Sequence, residues 1–346
     1  MKTIALLGAG GAAARNFKKS VDAGYESIGE NIRWRLIDAD SYSLTLCEDD
    51  ERDGNKYEYI TQKSFDFLLE DQKFDFIHAQ PEEGVQFLLN NIKTFKGKVF
   101  KHNIFEYNLY RDKLKCQYNW RSYMDIPFWV QKVSNISRKE FNKKIMNQPA
   151  EKLWVRARFG AGSTAALPVH SYKELQGWES FWRHKNPHVE LIISDFLPGD
   201  EFAVQMLWLD GRLVSSQARQ RVDYLFGKQM PSGQSSTPSV SVTSVDRKVY
   251  HAALMAVKFL SRAPHGIYGV DMKKTYSGDL MPTEINYGRF FTTSHQWIDY
   301  TPDPLNIPFD YVRWAVDGVE PKERINSLPE GLTHVRGLDS RGKLLC

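Results

Sequence analysis

The chain has 346 residues, 42% of them hydrophobic and 13% aromatic, which supplies enough apolar surface for packed domains and argues against a disordered chain. Its net charge of +4 comes from 46 basic and 42 acidic residues without a cationic run. That balance suits an anionic small molecule rather than a nucleic-acid surface. No stretch reaches the ~20 apolar residues of a membrane span. The short apolar start is followed at once by Arg15, Lys18 and Lys19, so no signal peptide is read and a cytoplasmic location is expected. Cys47, Cys116 and Cys346 lie far apart without CxxC spacing, which argues against a disulfide framework or a structural zinc.

Residues 1–105 alternate strand and helix patterns. An apolar strand over 3–7 leads through Gly8-Ala9-Gly10-Gly11-Ala12-Ala13 into a helix carrying Phe17 and Val21. A second strand over 34–37 ends at Asp38-Ala39-Asp40, followed by an extended piece at 57–61 and a helix over 64–70. Residues 74–79 form another strand, and Pro81-Glu82-Glu83-Gly84 opens a helix over 85–94. This alternation predicts a parallel sheet with helices on both faces and ligands at the carboxyl ends of its strands. Asp38, Asp40, His78, Gln80, Glu82 and Glu83 fall at those ends. For His78 and Gln80, substrate contact and a supporting or surface role remain equally open.

A polar, aromatic helix is expected over 106–125, ended by Pro127. Residues 128–133 read as extended. Ser137 with Glu140, and Ser171 with Glu174, are capping boxes that start two further helices. Strands follow at 154–158 and 189–197. Asp210-Gly211 makes a tight turn between strands at 202–208 and 212–216. A helix is expected over 246–261, then a strand pair, 268–273 and 279–285, around Ser277-Gly278. Trp178, Phe181 and Trp182 read as helix-face packing. His251 and His265 receive no acidic partner, and residues 338–344 read as a terminal hairpin.

Three groups of residues carry chemistry. Gly8-x-Gly10-x-x-Ala13 after a strand is compatible with a dinucleotide fingerprint, but a tight turn needing small residues is the stronger reading. The acid of the second strand, Asp38, lies further along than the usual ~20 residues. Trp154-Val155-Arg156-Ala157-Arg158-Phe159-Gly160-Ala161-Gly162-Ser163-Thr164 joins a cationic strand to a glycine-rich loop able to turn N–H groups toward an anion. It lacks the Gly-Lys-Ser/Thr of a Walker A loop. In Pro282-Thr283-Glu284-Ile285-Asn286, alternation points Glu284 and Asn286 the same way, and hairpin pairing can bring Asp271 beside them. Two carboxylates and an amide oxygen are hard ligands of the kind Mg²⁺ takes alongside phosphates. Arg289 follows, placed to hold a phosphoryl or carboxylate oxygen.

In this order the motifs resemble the ATP-grasp superfamily, specifically its carbamoyl-phosphate-synthase-like and carboxylate–amine ligase members. The resemblance spans about residues 1–320. It implies an α/β plus α+β fold: a Rossmann-like pre-ATP-grasp domain at 1–105, a linker helix and lid at 106–190, an antiparallel-sheet core with a metal site at 191–320, and an extension at 321–346. It also implies that the first glycines need bind no dinucleotide. Lys113 corresponds to the basic residue reaching the ATP phosphates. Arg156, Gly160, Gly162 and Ser163 correspond to the strand and loop that cover them. Ile192-Ile193-Ser194-Asp195-Phe196-Leu197-Pro198-Gly199-Asp200-Glu201 resembles the adenine hinge, with backbone groups of Asp195 and Leu197 on adenine and Glu201 on ribose.

Asp271, Glu284 and Asn286 correspond to the ligands of Mg²⁺ or Mn²⁺, and Arg219, Arg221 and Arg289 to arginines at the transferred phosphate. Arg156 stands where lysine is usual, and Tyr287-Gly288 where proline usually stands between the asparagine and the arginine. The implied activity is an ATP- and Mg²⁺-dependent ligase that makes an acyl phosphate from a carboxylate and joins it to an amine. Carbamoyl-phosphate-type or small-molecule kinase chemistry, a silent ATP-binding protein and, more distantly, a nicotinamide oxidoreductase are the alternatives. Partners are small-molecule acids and amines, with no nucleic acid and no membrane. A homodimer is the common form of such proteins.

Overall fold

The computed structural model describes residues 1–47, 57–95, 97–233, 235 and 237–337, and the backbone of 343–345. The first part follows the expected alternation: β1 (Lys2–Leu7), α1 (Ala12–Ser27), β2 (Ile32–Asp38), α2 (Ser41–Thr45), β3 (Tyr57–Thr61), β4 (Phe76–Ala79) and α3 (Glu82–Asn90). The strands pair in parallel in the order β3-β2-β1-β4. Alternation along β1 divides its side chains between two cores. Ala5 and Leu7 join Val85 and Leu88 of α3, whereas Ile4 and Leu6 join Phe17 and Val21 of α1. The helix expected over 64–70 contracts to a single 3-10 turn, Asp66–Leu69, too short to build an α ladder.

Helix α9 (Ile307–Asp317), far along the chain, returns to pack on α1. Gly24 of α1 lies against Phe309 of α9, and an added Cβ there would lie 2.1 Å from the Phe309 ring. Gly24→Ala should therefore lower stability by about 1–3 kcal/mol, despite alanine's better helix propensity. Urea unfolding checks this, and a gain in stability would show that the two helices can separate at no cost.

His78 lies in the same core, stacked on Phe17 at 4.3 Å and bonded through Nδ1 to the Tyr311 hydroxyl at 3.3 Å. Of the roles left open for it, the buried position leaves the supporting one, with its ring also 5.7 Å from that of Phe290. Burial pushes its pKa down to about 3. The folded state thus resists protonation while the unfolded chain accepts it below ~6.5, so stability falls as pH drops through that window. At ~1.4 kcal/mol per pH unit, His78→Gln should shrink the difference in unfolding free energy between pH 7 and pH 5 by about 2 kcal/mol. An undiminished difference would locate the proton uptake elsewhere.

The single helix expected over 106–125 is two, α4 (Ile104–Arg111) and α5 (Lys113–Tyr123). Asp112 breaks it at φ −87°, ψ 88°, and its carboxylate accepts the Lys115 N–H at 3.2 Å as a cap. A short acidic side chain that bonds the local backbone in this way competes with helix continuation.

A small antiparallel sheet follows, built from β5 (Val130–Lys132), β6 (Leu153–Ala157), β7 (Leu167–Val169) and β8 (Leu191–Asp195) in the order β5-β8-β6-β7. Helices α6 (Arg138–Met146) and α7 (Tyr172–Lys185) cover it. Both predicted caps form: Ser137 and Ser171 accept from the Glu140 and Glu174 N–H groups, each at 3.2 Å. Trp178 and Trp182 pack on this core as expected, but Phe181 stands exposed.

The large sheet contains β9 (Glu201–Leu209), β10 (Arg212–Tyr224), β11 (Pro238–Ser244), β12 (Gly266–Lys274), β13 (Leu280–Tyr287), β14 (Arg324–Ile325), β15 (Thr333–Val335) and β16 (Lys343–Leu345). Its order is β13-β12-β9-β10-β11-β15-β16, with β14 beside β10. The strand expected to end at residue 216 continues to Tyr224, held on both sides by β9 and β11. The Asp210-Gly211 turn forms with both residues at positive φ. His265 does have an acidic partner: its Nδ1 lies 3.0 Å from the Asp210 carboxylate in that turn. Helix α8 (Arg247–Lys258) lays Val249, Ala252, Ala253, Ala256 and Val257 on the sheet. The terminal segment is part of this sheet through β15 and β16, while 338–342 and Cys346 lie outside the described residues. No helix among the described residues is long and apolar enough to cross a membrane.

Candidate functional site

A cleft of about 420 Å³ lies where the small sheet faces the large one, and every residue that the resemblance assigns to the nucleotide, metal or transferred phosphate lines it. The front domain reaches it through Ala13 and Gln80. The Gln80 amide oxygen accepts the Phe290 N–H at 3.2 Å, and its Nε2 has no hydrogen-bond partner.

The roof is the loop after β6. Gly160 and Gly162 take φ of +92° and +73°, and Ser163 and Ala165 also adopt positive φ. An added Cβ at either glycine would meet nothing within 4 Å, so backbone angle and not crowding selects them. The Lys113 ammonium donates to the Gly160 carbonyl, joining this loop to the start of α5. Asp112 accepts from Arg158 through both carboxylate oxygens, and Arg158 also reaches Glu190 at 2.9 Å. Alternation along β6 then directs Arg156 to the cleft, where it donates to the Thr283 carbonyl at 2.8 Å.

The floor carries the acidic group. Asp271 of β12 and Glu284 of β13 are direct cross-strand partners, and Asn286 lies two residues further along the same face. The Asn286 amide donates to Asp271 at 3.3 Å, and Arg289 donates to the Asn286 oxygen at 2.7 Å. Tyr287-Gly288 makes that return possible. The Tyr287 hydroxyl donates to the His265 carbonyl at 2.9 Å, and Gly288 turns at φ +79° against Val85.

Burial would raise the pKa of Glu284, but the Lys113, Arg156 and Arg289 charges outweigh it and hold the carboxyl low. Burial raises Asp271, and although Arg221 opposes this, the Glu284 and Glu201 charges add to burial and the carboxyl stays above its ordinary value. Among the described residues no three His, Cys, Asp or Glu side chains form a metal cluster. The donor set is two carboxylates and one amide oxygen, and Asp271 Oδ1 accepts no hydrogen bond although Arg221 lies 2.7 Å away. Hard oxygen donors with capacity left over fit Mg²⁺.

The two arginines of β10 behave differently. Arg221 spans Asp271 and Glu201 at 2.7 and 3.1 Å. Arg219 is buried over the Phe291 ring, and its Nε and Nη2 have no hydrogen-bond partner. Burial and the adjacent Arg221 push its pKa down to about 9. A buried cation with unmet donors is a site for an anion.

At the far end, Asp195 directs its carboxylate away, accepting from the Trp129 N–H at 2.7 Å and Gln148 at 2.8 Å. What remains at this edge is its carbonyl and the backbone of Leu197. Glu201 accepts from Arg221 and from the Tyr224 hydroxyl. Lys273, Tyr224, Phe196 and Gln117 also line the cleft, and sequence reasoning missed them. Lys273 is the cross-strand partner of Glu201, a pairing set by the non-local β9–β12 register. Lys273 and Asp271, two residues apart on β12, were the one available signal.

The glycine fingerprint of the front domain makes a turn. Asp38 accepts the Gly10 N–H at 3.0 Å, and an added Cβ at Gly10 would lie 2.4 Å from Ser43. The carboxylate that a dinucleotide ribose would need already holds the loop. Asp40 caps α2, and Glu82 pairs with Arg111.

No family model matches the chain, and no curated protein matches it. Solved structures do. One is N5-carboxyaminoimidazole synthetase from Staphylococcus aureus complexed with ADP, at 16% identity and a TM-score of 0.66 over 97% of this chain and 82% of that one. Another is L-amino acid ligase from Bacillus licheniformis, at 13% identity and 0.62 over 96% and 79%. A third is phosphoribosylglycinamide synthetase from Anaerococcus prevotii, at 15% identity and 0.62 over 96% and 79%. With the roof loop, the acidic floor and the hinge arranged around one cleft, the chain has the ATP-grasp fold.

Proposed function

We propose that the protein is an ATP-dependent ligase that transfers the γ-phosphoryl group of ATP to a carboxylate, releasing ADP, and joins the resulting acyl group to an amine, releasing phosphate. The observation that carries this reading is the convergence of every residue that the resemblance assigns to the nucleotide, metal or transferred phosphate on one cleft with an acidic floor and a ring of buried cations. Structural neighbours named as a synthetase with ADP and as an amino acid ligase support it.

The adenine lies against the backbone of Asp195 and Leu197, and the triphosphate runs toward Glu284. Asp271, Glu284 and Asn286 would hold Mg²⁺ or Mn²⁺, which supplies charge neutralisation at the phosphates. Arg289 then leaves the Asn286 oxygen and turns to the transferred phosphoryl group. Lys113 and Arg156 balance the negative charge from the roof side, and Arg219 meets it with its two unpaired donors. Arg221, engaged by Asp271 and Glu201, positions those carboxylates. The loop from Gly160 to Ser163 closes over the acyl phosphate and excludes water until the amine arrives.

The test is ADP release from the full chain with Mg·ATP across panels of acids and amines, with product masses measured. ADP formation that needs both an acid and an amine, with an amide of matching mass, is expected. An acyl phosphate that accumulates when no amine is present would establish a kinase instead.

A further inference from the structure

Next to the cleft, behind Thr292, lies a corner of basic side chains of which the reaction above uses only Arg219. Directly opposed residues on neighbouring strands share a face. Arg221 pairs with Ser241 of β11, and Ser241 with His334 of β15. The arginine-bearing face of β10 therefore continues through Ser241 to His334, with Arg336 just beyond. The loop after β13 packs over this face, and its His295 ring meets His334 at 5.4 Å. Helix α1 closes the third side with Arg15 and Lys19. The rim shared with the cleft is Thr292, whose carbonyl accepts from Asn16 at 2.5 Å and Arg336 at 3.0 Å.

Arg15, Lys19, Arg219, Arg336, His295 and His334 thus come from four separate elements to one place. Each of the two histidines is under the influence of Arg219, Arg336 and Lys19, and Arg336 is under that of Arg15. Among the described residues no carboxylate forms an ion pair with Arg15, Arg336, His295 or His334, and Lys19 has only the exposed Asp299 at 4.0 Å. His295 is 95% buried with Nδ1 unpartnered, and the Thr293 and Ser294 hydroxyls beside it also lack partners. Arg15 Nε is likewise unpartnered. Burial and the neighbouring cations drive the pKa of His295 to about 3 and of His334 to about 4. A fold gathers like charges and idle donors in one buried corner at a cost in free energy, unless an anion completes the set.

We infer that this basic corner receives a second anionic group of the carboxylate substrate, a phosphate or a further carboxylate, so that the acid activated is at least a dianion. The inference rests on the ligase reading and names its substrate class. The reacting carboxylate sits at Arg289, and the second anion sits behind Thr292, where Arg336, Arg15, His334 and His295 hold it. Charge-assisted bonds to a partly buried anion discriminate strongly against a substrate that leaves them empty.

Isothermal titration of the full chain tests this, with acetate, succinate and phosphoglycolate as probes, each run without nucleotide and with Mg·AMP-PNP. Succinate or phosphoglycolate should bind roughly tenfold or more tightly than acetate. Preference for phosphoglycolate identifies a phosphate, and preference for succinate a second carboxylate. Arg336→Gln and Arg15→Gln, on opposite walls and outside the nucleotide site, should each remove most of that preference and leave acetate and AMP-PNP binding unchanged. If Arg336→Gln fails to fold, Arg15→Gln decides alone. Equal binding of the three acids, or a preference undiminished in the folded variants, overturns the inference. Failure of AMP-PNP to bind would sink the ligase reading, and the titrations without nucleotide would still decide the basic corner.

Discussion

Glu284→Gln is expected to lower ADP release by on the order of 10²–10³-fold, the scale of removing one electrostatic element from a closed site. The side chains are almost the same size, so the change isolates charge. Glu284 faces Asp271 across the hairpin and is surrounded by Lys113, with its ammonium 3.6 Å away, and by Arg156 and Arg289. Neutralising it removes a metal ligand and leaves those cations without their nearest carboxylate. The concentration of Mg²⁺ needed for half-maximal ADP release should rise, while far-ultraviolet circular dichroism keeps its parental shape. Unchanged turnover at unchanged Mg²⁺ demand would remove Glu284 from the metal set.

Asp112→Asn is expected to cost about 3–5 kcal/mol of stability, the range for breaking a buried pair from one side. Asp112 is almost wholly buried, accepts from Arg158 through two oxygens and caps α5. Burial alone would raise its pKa, but the hydrogen bonds from Arg158 and the Lys115 N–H, together with the charges of both residues, outweigh it and hold the carboxyl below its ordinary value. That contribution is present at neutral pH and fades as pH falls through the lowered pKa, so the gap between parent and variant should narrow in acid. Urea unfolding at pH 7 and pH 3 measures it, with Lys115→Ala as control. Lys115 is exposed and 3.8 Å from the same carboxylate, and its loss should cost under ~1 kcal/mol. A variant as stable as the parent would show that Arg158 is held by Glu190 alone.

Much of this architecture is legible in one dimension because its signals are local. The capping serines at 137 and 171, the Asp210-Gly211 turn and the strand-helix alternation of the first hundred residues each depend on neighbours in sequence. The fold class follows from them. Asp112 reads as part of one long helix because helical pattern continues on both sides. Its carboxylate caps α5 through the Lys115 N–H and is also held by Arg158, a residue 46 positions away. His265 lacks a visible partner for the same reason, since Asp210 reaches it from a turn 55 residues earlier.

The candidate site divides along the same line. Residue types and their alternation along a strand mark Glu284 and Asn286 as a shared face, and the glycines as a loop able to turn its amides inward. Which arginine is idle and which is engaged depends on the registers of β9 against β10 and β12, and no local pattern encodes them. The basic corner of Arg15, His295, His334 and Arg336 is the extreme case, assembled from segments hundreds of residues apart. The sequence alone determined the elements and the chemical inventory, because periodicity and short-range hydrogen bonds act between near neighbours. Only the tertiary structure decided which charges meet, because strand register and helix docking are set by burial summed over the whole chain.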